Sequence, residues 1–163
     1  MKLRKIVEVF SAPQGQEGVL VRVFRSIKDF ARKVSLNPAY KELQEIVTLY
    51  ENDRKDIYNS LVREYCDEVN KKREKEQGEK YEKLIPEDVK GIPTAYINKL
   101  NAKLDDMLDK DIQIKKKLKF TAKEIKSSGI DGHDIFLMED FYDMKEMEAL
   151  AKEGEKKKDK EDE

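Results

Sequence analysis

Few side chains in this sequence could make or break bonds, and their spacing limits how they could act together. Cys66 is the single cysteine and His133 the single histidine. A thiol nucleophile needs a neighbouring base and a lowered pKa. The two residues lie in different segments, and no fixed spacing connects them. Cys66 follows Tyr65 on an apolar stripe, so it reads as a small core thiol, and one cysteine cannot form an intramolecular disulfide. Asp131, His133 and Asp134 are metal-ligand types close together. A zinc site would need more His or Cys, and Asp131-Gly132-His133-Asp134 lacks the length and spacing of a calcium loop. Asp131 is better explained as a helix cap. The seven glycines are scattered, so no phosphate-cradling loop is present. No Ser-His-Asp arrangement follows from spacing, and carboxylate pairs in so acidic a chain carry no signal. The residues therefore predict no enzyme, no cofactor, no metal and no small-molecule substrate.

Binding chemistry is better represented. Lys71, Lys72, Arg73 and Lys75 form one basic cluster, and Lys115, Lys116, Lys117 and Lys119 another. Such clusters can contact phosphates. Acidic residues match each of them (Glu74 and Glu76; Asp105, Asp106, Asp109 and Asp111), and no aromatic side chains interleave for base stacking. Lys plus Arg number 34 against 35 Asp plus Glu, a net charge of −1, which argues against a globally basic nucleic-acid binder. Lys115, Lys117 and Lys119 remain the candidate basic patch, and nucleic acid is the disfavoured partner. Phe136, Phe141 and Tyr142 are the candidate protein-interaction surface, since exposed apolar patches mark partner sites; closing the core is their other reading.

The elements that position these residues are mostly helical. Ala39–Gln77 is the longest run free of Pro and Gly. Leu43, Ile46, Tyr50, Ile57, Leu61 and Tyr65 set one stripe along it. The polar midpoint Glu51–Asp56 interrupts that stripe, but Ile57 resumes it in phase, so one continuous helix is predicted, ending near Gly78. Before it, Leu3, Ile6, Val7 and Phe10 predict a helix over Lys2–Ser11, with a strand as rival, followed by a loop at Ala12–Gln16. Leu20, Phe24, Ile27, Ala31 and Val34 predict one helix over Glu17–Val34 with a basic outer face. Ser35–Pro38 reads as a turn with Asn37 as N-cap.

After it, Tyr81, Leu84 and Ile85 suggest a short strand over Lys80–Ile85. Ile97, Leu100, Leu104 and Leu108 give a helix over Thr94–Leu108. Ile112, Ile114, Leu118 and Phe120 alternate with polar residues, with Lys116 the one break on the apolar face, which predicts a strand over Lys110–Phe120. A lone strand needs a partner for its backbone groups, so the two segments are expected to pair. Thr121 and Glu124 fit a capping box, and the helix after them stops at Ser127-Ser128-Gly129. A closing helix follows, with Ile135, Leu137, Met138 and Phe141 as its apolar contacts. Past Ala151 the chain is Lys, Glu and Asp without apolar periodicity, and Lys152–Glu163 reads as disordered or as a frayed helix.

The expected fold is thus α+β and predominantly α-helical. A long central helix carries packed N-terminal helices, with a small two-stranded sheet in the C-terminal lobe. Residues 1–151 are expected as one domain, with a helical part at 1–77, an α+β lobe at 78–151 and a charged tail at 152–163. A chain of this length can bury a core, though a lean one, with 38% hydrophobic and 42% charged residues. Met1–Phe10 is too short and too charged for a secretory signal, and no run reaches the 18 or so apolar residues of a membrane span. No membrane contact and a reducing cytoplasm are the expectation.

The order of elements resembles a family of small phage and prophage proteins of Gram-positive and related bacteria. The residues carrying the likeness are Leu61–Glu68, Ile97–Leu104, Asp111–Ile114 and Ile130–Phe141. Glu64 and Cys66 stand where the pattern has Lys and Gly, the insert around Lys71–Lys90 is longer, and the charged tail is additional. The resemblance implies a non-enzymatic phage-encoded interaction or structural accessory protein. It would act in the virion or tail, or on a host protein, within the bacterial host cytoplasm. Its partner would be a protein, and self-association through the long helix is an open alternative. A nucleic-acid-associated accessory protein is the alternative function.

Overall fold

The computed structural model describes residues 1–11, 17–78, 81–130 and 132–158, the side chains of 152–158 excepted. The chain divides into two compact units: Met1–Val47 together with the chain from Asp111 onward, and Thr48–Lys110. The helices are α1 (Leu3–Phe10), α2 (Val19–Ser26), α3 (Phe30–Gln77), α4 (Thr94–Leu108), α5 (Ala122–Ser127), α6 (Gly132–Leu137) and α7 (Met144–Lys158). Short 3-10 turns sit at Pro86–Asp88 and Glu139–Phe141. The loop expected at Ala12–Gln16, the cap at Asp131 and the last residues of the tail lie outside the described residues. Residues 152–158 continue α7 as helix.

Among the described residues there is no strand and no sheet, so the fold is all-α and the expected α+β class is corrected. Isolated bridges form there instead, Lys2 with Asp111 and Phe120 with Tyr142. Among the described residues neither segment expected to pair forms a strand, the second bends at Lys115 and Lys116, and helix side chains serve parts of both backbones instead. Glu42 of α3 accepts from the N–H groups of Lys115 and Lys116 at 2.8 and 3.0 Å, one through each oxygen. Asn70 of α3 donates to the Leu84 carbonyl at 2.9 Å and accepts from the Leu84 N–H at 2.8 Å. Its amide thus occupies the place a paired strand would take. Buried backbone groups need partners, but those partners need not be another strand.

The first unit packs α1, α2, the Phe30–Val47 part of α3 and the closing helices around one core. Ile6, Leu20, Val23, Leu43, Ile125 and Met138 are fully buried in it. Each such side chain contributes roughly 1.5–3 kcal/mol relative to exposure. Phe24 stacks on Tyr40 with centroids 4.1 Å apart. The helix expected over Glu17–Val34 is broken. α2 stops at Ser26, Ile27 turns extended, and α3 begins afresh at Phe30. Asp29 makes that start, its carboxylate accepting from the Arg32 N–H at 3.1 Å. This is an N-cap bond that apolar periodicity does not register. The expected turn at Ser35–Pro38 is likewise absent, and Pro38 lies inside α3. Proline leaves the carbonyl four residues back without its helical donor. That residue is Val34, which is exposed, so water can serve the carbonyl.

The second unit is the Thr48–Gln77 part of α3, the 3-10 turn and α4. Leu61, Val62, Cys66, Ile92 and Tyr96 form its core. α3 runs unbroken through the polar midpoint, as its phase predicted, and Gly78 follows its end at a φ of 67°. Such a left-handed residue is where glycine replaces any L side chain at low cost.

Candidate functional site

The first unit carries an open groove of about 670 Å³. Its apolar surface comes from Leu43 of α3, from Ile112, Ile114 and Leu118 of the extended segment, and from Phe141. Lys115, Lys117, Lys119 and Asp140 line it as well. The groove lies along residues 111–120, which bend at Lys115 and Lys116 and have no neighbouring strand among the described residues. Alternation turns Leu118 and Phe120 into the core and leaves Ile112 and Ile114 half-buried.

The three lysines of the candidate basic patch all line this groove, but they do not do the same work. The Lys119 ammonium donates to the carbonyls of Asp140 (2.9 Å) and Tyr142 (3.4 Å). It therefore ties the extended segment to the 3-10 turn. The Lys115 and Lys117 ammonium groups are exposed, and no carboxylate among the described residues pairs with them. The other basic cluster is also partly occupied, since Arg73 donates to the Glu82 carbonyl at 2.8 Å.

The aromatic trio is divided. Phe141 and Tyr142 are core residues, 2% and 3% exposed, while Phe136 is 66% exposed. The 3-10 turn at Glu139–Phe141 directs Phe141 inward, and the Phe141 carbonyl accepts the Phe120 N–H at 2.7 Å. These three residues do not form one surface. The basic face expected on α2 is taken up internally. Arg22 pairs with Asp134, Arg25 with Glu17, and Lys33 donates to the Arg25 carbonyl at 3.3 Å.

An ion-pair network lies next to the groove's tied end. Arg32 grips Glu124 with two bonds, Nε to Oε1 at 2.8 Å and Nη2 to Oε2 at 3.2 Å, and its Nη2 also donates to the Lys119 carbonyl at 2.7 Å. Glu124 closes the capping box read from the sequence, with Thr121 as N-cap of α5. Burial pushes the Glu124 carboxyl up, but the bonds from Arg32 and Thr121 outweigh it and hold it below the usual carboxylate range. A depressed carboxyl contributes stability that is present above its unfolded-state pKa, near 4.3, and lost as pH falls through its folded value. Glu124→Gln is expected to lower stability at pH 7 by about 1–2 kcal/mol, allowing for partial solvent screening. It should also flatten the decline in melting temperature between about pH 5 and pH 3. Thermal melts across that window check both; parallel wild-type and variant slopes would remove Glu124 from the acid transition.

The remaining sequence candidates occupy ordinary structural positions. Cys66 is buried in the second unit, and burial first, then Asp67, Glu87 and Asp88, push its thiol up. A protonated, enclosed thiol is a poor nucleophile. His133 is exposed. Tyr96 is enclosed, with no hydrogen bond of normal length to its hydroxyl among the described residues. A looser approach to the Glu68 carboxylate, then burial, holds that phenol up at about 12. Among the described residues no group of three or more His, Cys, Asp or Glu could hold a metal ion. No helix there is long and apolar enough to cross a membrane.

The groove was not foreseen from the sequence. The signal lies in Ile112-Gln113-Ile114-Lys115, an alternating run with lysines after it, but alternation alone predicts a paired strand there. Comparisons with family models, with curated proteins and with solved structures give no match, so the functional reading rests on this chain's own residues.

Proposed function

We propose that the chain is a non-enzymatic interaction protein that takes a protein partner in the groove of its first unit. The observation that carries this is the groove itself, where half-buried Ile112 and Ile114 stand beside the unpaired ammonium groups of Lys115 and Lys117. Apolar surface with nearby charge is what partner sites offer, the first for affinity and the second for orientation. The sequence resemblance to phage accessory proteins supports a partner in the virion or tail, or in the host. A nucleic-acid role is the weaker reading, because the Lys119 ammonium and the Arg73 guanidinium are engaged by backbone carbonyls.

The test is site-specific photocrosslinking in cells that carry the gene, with benzoylphenylalanine at Gln113 in the groove or at Lys103 of α4 as control. A defined protein adduct at position 113, absent at 103 and lost in the K115E/K117E chain, is the expected result. Mass spectrometry of the adduct and of purified phage particles then assigns the partner to particle or host. Absence of any adduct specific to position 113 overturns the reading.

A further inference from the structure

We infer that the groove takes an acidic, extended peptide segment that bonds to the backbone of Ile114 and so continues the short ladder that Met1 makes with Ile112. This inference rests on the interaction reading above and names the chemistry of its partner. The edge is already in use one position away. Ile112 donates its N–H to the Met1 carbonyl at 2.8 Å, and the Ile112 carbonyl accepts from the Met1 amine at 3.3 Å. That reciprocal exchange is the hydrogen-bonded pair of an antiparallel ladder, continuous with the Lys2–Asp111 bridge.

In an extended chain, backbone groups two residues apart point to the same side. Ile114 therefore presents its N–H and carbonyl on the edge that Ile112 uses. Among the described residues neither group has a partner. The chain then bends at Lys115 and Lys116, whose N–H groups Glu42 holds, so the run open to a partner ends at Ile114. An incoming segment therefore bonds at Ile114, on the side lined by Met1 and the groove.

Charge selects the occupant. From Lys115 to Lys119 the segment bears four lysines, and among the described residues the ammonium groups of Lys115 and Lys117 are unpaired at the groove. A basic peptide would meet like charge there, whereas an acidic one would be drawn in and aligned. Ile112 and Ile114 are half-buried, so alternate apolar side chains on the incoming strand have surface to cover. Main-chain bonds would supply affinity, and alternate side chains selectivity, as in other strand additions.

The experiment uses the full chain and fluorescence anisotropy with a labelled seven-residue peptide alternating glutamate and valine. Its lysine–valine counterpart is the charge control. Two further acidic peptides carry N-methyl groups on alternate residues, one set blocking each edge. The acidic peptide should saturate, with the basic one at least about tenfold weaker, and K115E/K117E should reverse that order. Of the two methylated peptides, one should lose about tenfold or more and the other bind nearly as the parent does. Equal binding of acidic and basic peptides, or equal behaviour of the two methylated ones, overturns the inference. An adduct at position 113 with no acidic-peptide binding would sink the peptide chemistry and leave the interaction reading standing. Failure of position 113 to capture any partner would sink the interaction reading itself.

Discussion

Gly18→Ala is expected to lower the stability of the first unit by about 3 kcal/mol or more. The reason is close approach, not backbone conformation. Gly18 precedes α2 with φ −59° and ψ 156°, dihedrals that any residue adopts. A Cβ there would lie 2.2 Å from both the carbonyl carbon and the oxygen of Phe10, and 2.6 Å from the Val9 oxygen. Those are backbone atoms of α1 and its end, which cannot swing aside as a side-chain tip can. Relief would require α1 to move from α2, and Ile6, Val9, Leu20 and Val23 are fully buried in the same core. The opposing term is small, since replacing Gly with Ala in a compatible conformation gains only about 0.4–1 kcal/mol by restricting the unfolded chain. Gly91→Ala isolates that term. Nothing lies within 4 Å of a Cβ at Gly91, and its φ is not left-handed, so this variant should melt at or slightly above the wild-type temperature. Paired denaturant titrations decide the matter; a Gly18→Ala midpoint equal to that of wild type would mean that α1 and α2 are not packed this closely.

How much of this was legible depends on where each partner lies along the chain. α4 falls over Thr94–Leu108 as its Ile97-Leu100-Leu104-Leu108 spacing predicts, because the signal and the element share the same fifteen residues. The Thr121–Glu124 capping box is equally local, as both members lie within one turn. The stripe on α3 also holds, with Leu43 and Leu61 almost fully enclosed. The structure departs from the local pattern where a remote or competing group decides the outcome. Periodicity ran through Ile27, Ala31 and Val34, yet the Asp29 cap restarted the helix and left Val34 54% exposed.

The missing sheet has the same cause. Alternation in Ile112–Phe120 says that a run is extended with one apolar face; it says nothing about what binds its backbone. Glu42 lies 73 positions from Lys115, and no spacing rule links a helix carboxylate to those N–H groups. The groove follows from that substitution, since a helix side chain holds the bend at Lys115 and Lys116 and no strand lies along Ile112–Ile114 among the described residues. The lysines were visible as residues, but the division between the tied Lys119 and the free Lys115 and Lys117 required the Asp140 and Tyr142 carbonyls.

Phe141→Ala should cost about 3–5 kcal/mol, and Phe136→Ala less than about 0.5 kcal/mol, although both side chains belong to the same short closing stretch. Phe141 is 2% exposed and packs in the core with Ile125 and Met138. Removing its ring leaves a cavity that the rigid neighbours fill only in part. Its neighbourhood also holds the closing stretch in place, through the Phe120 N–H on its own carbonyl and the Lys119 ammonium on the carbonyls either side. Phe136 is 66% exposed, and its carbonyl takes only a 3.5 Å contact from Lys5, so truncating its ring leaves no cavity. The melting temperature of Phe141→Ala should fall on the order of 10 °C, while that of Phe136→Ala should stay at the wild-type value. Because Phe141 also lines the groove, its variant should bind the acidic peptide less well even well below its melting temperature. Phe136→Ala should bind like wild type. Loss of peptide binding in Phe136→Ala with an unchanged melt would instead place the partner surface on α6, away from the lysine-lined groove.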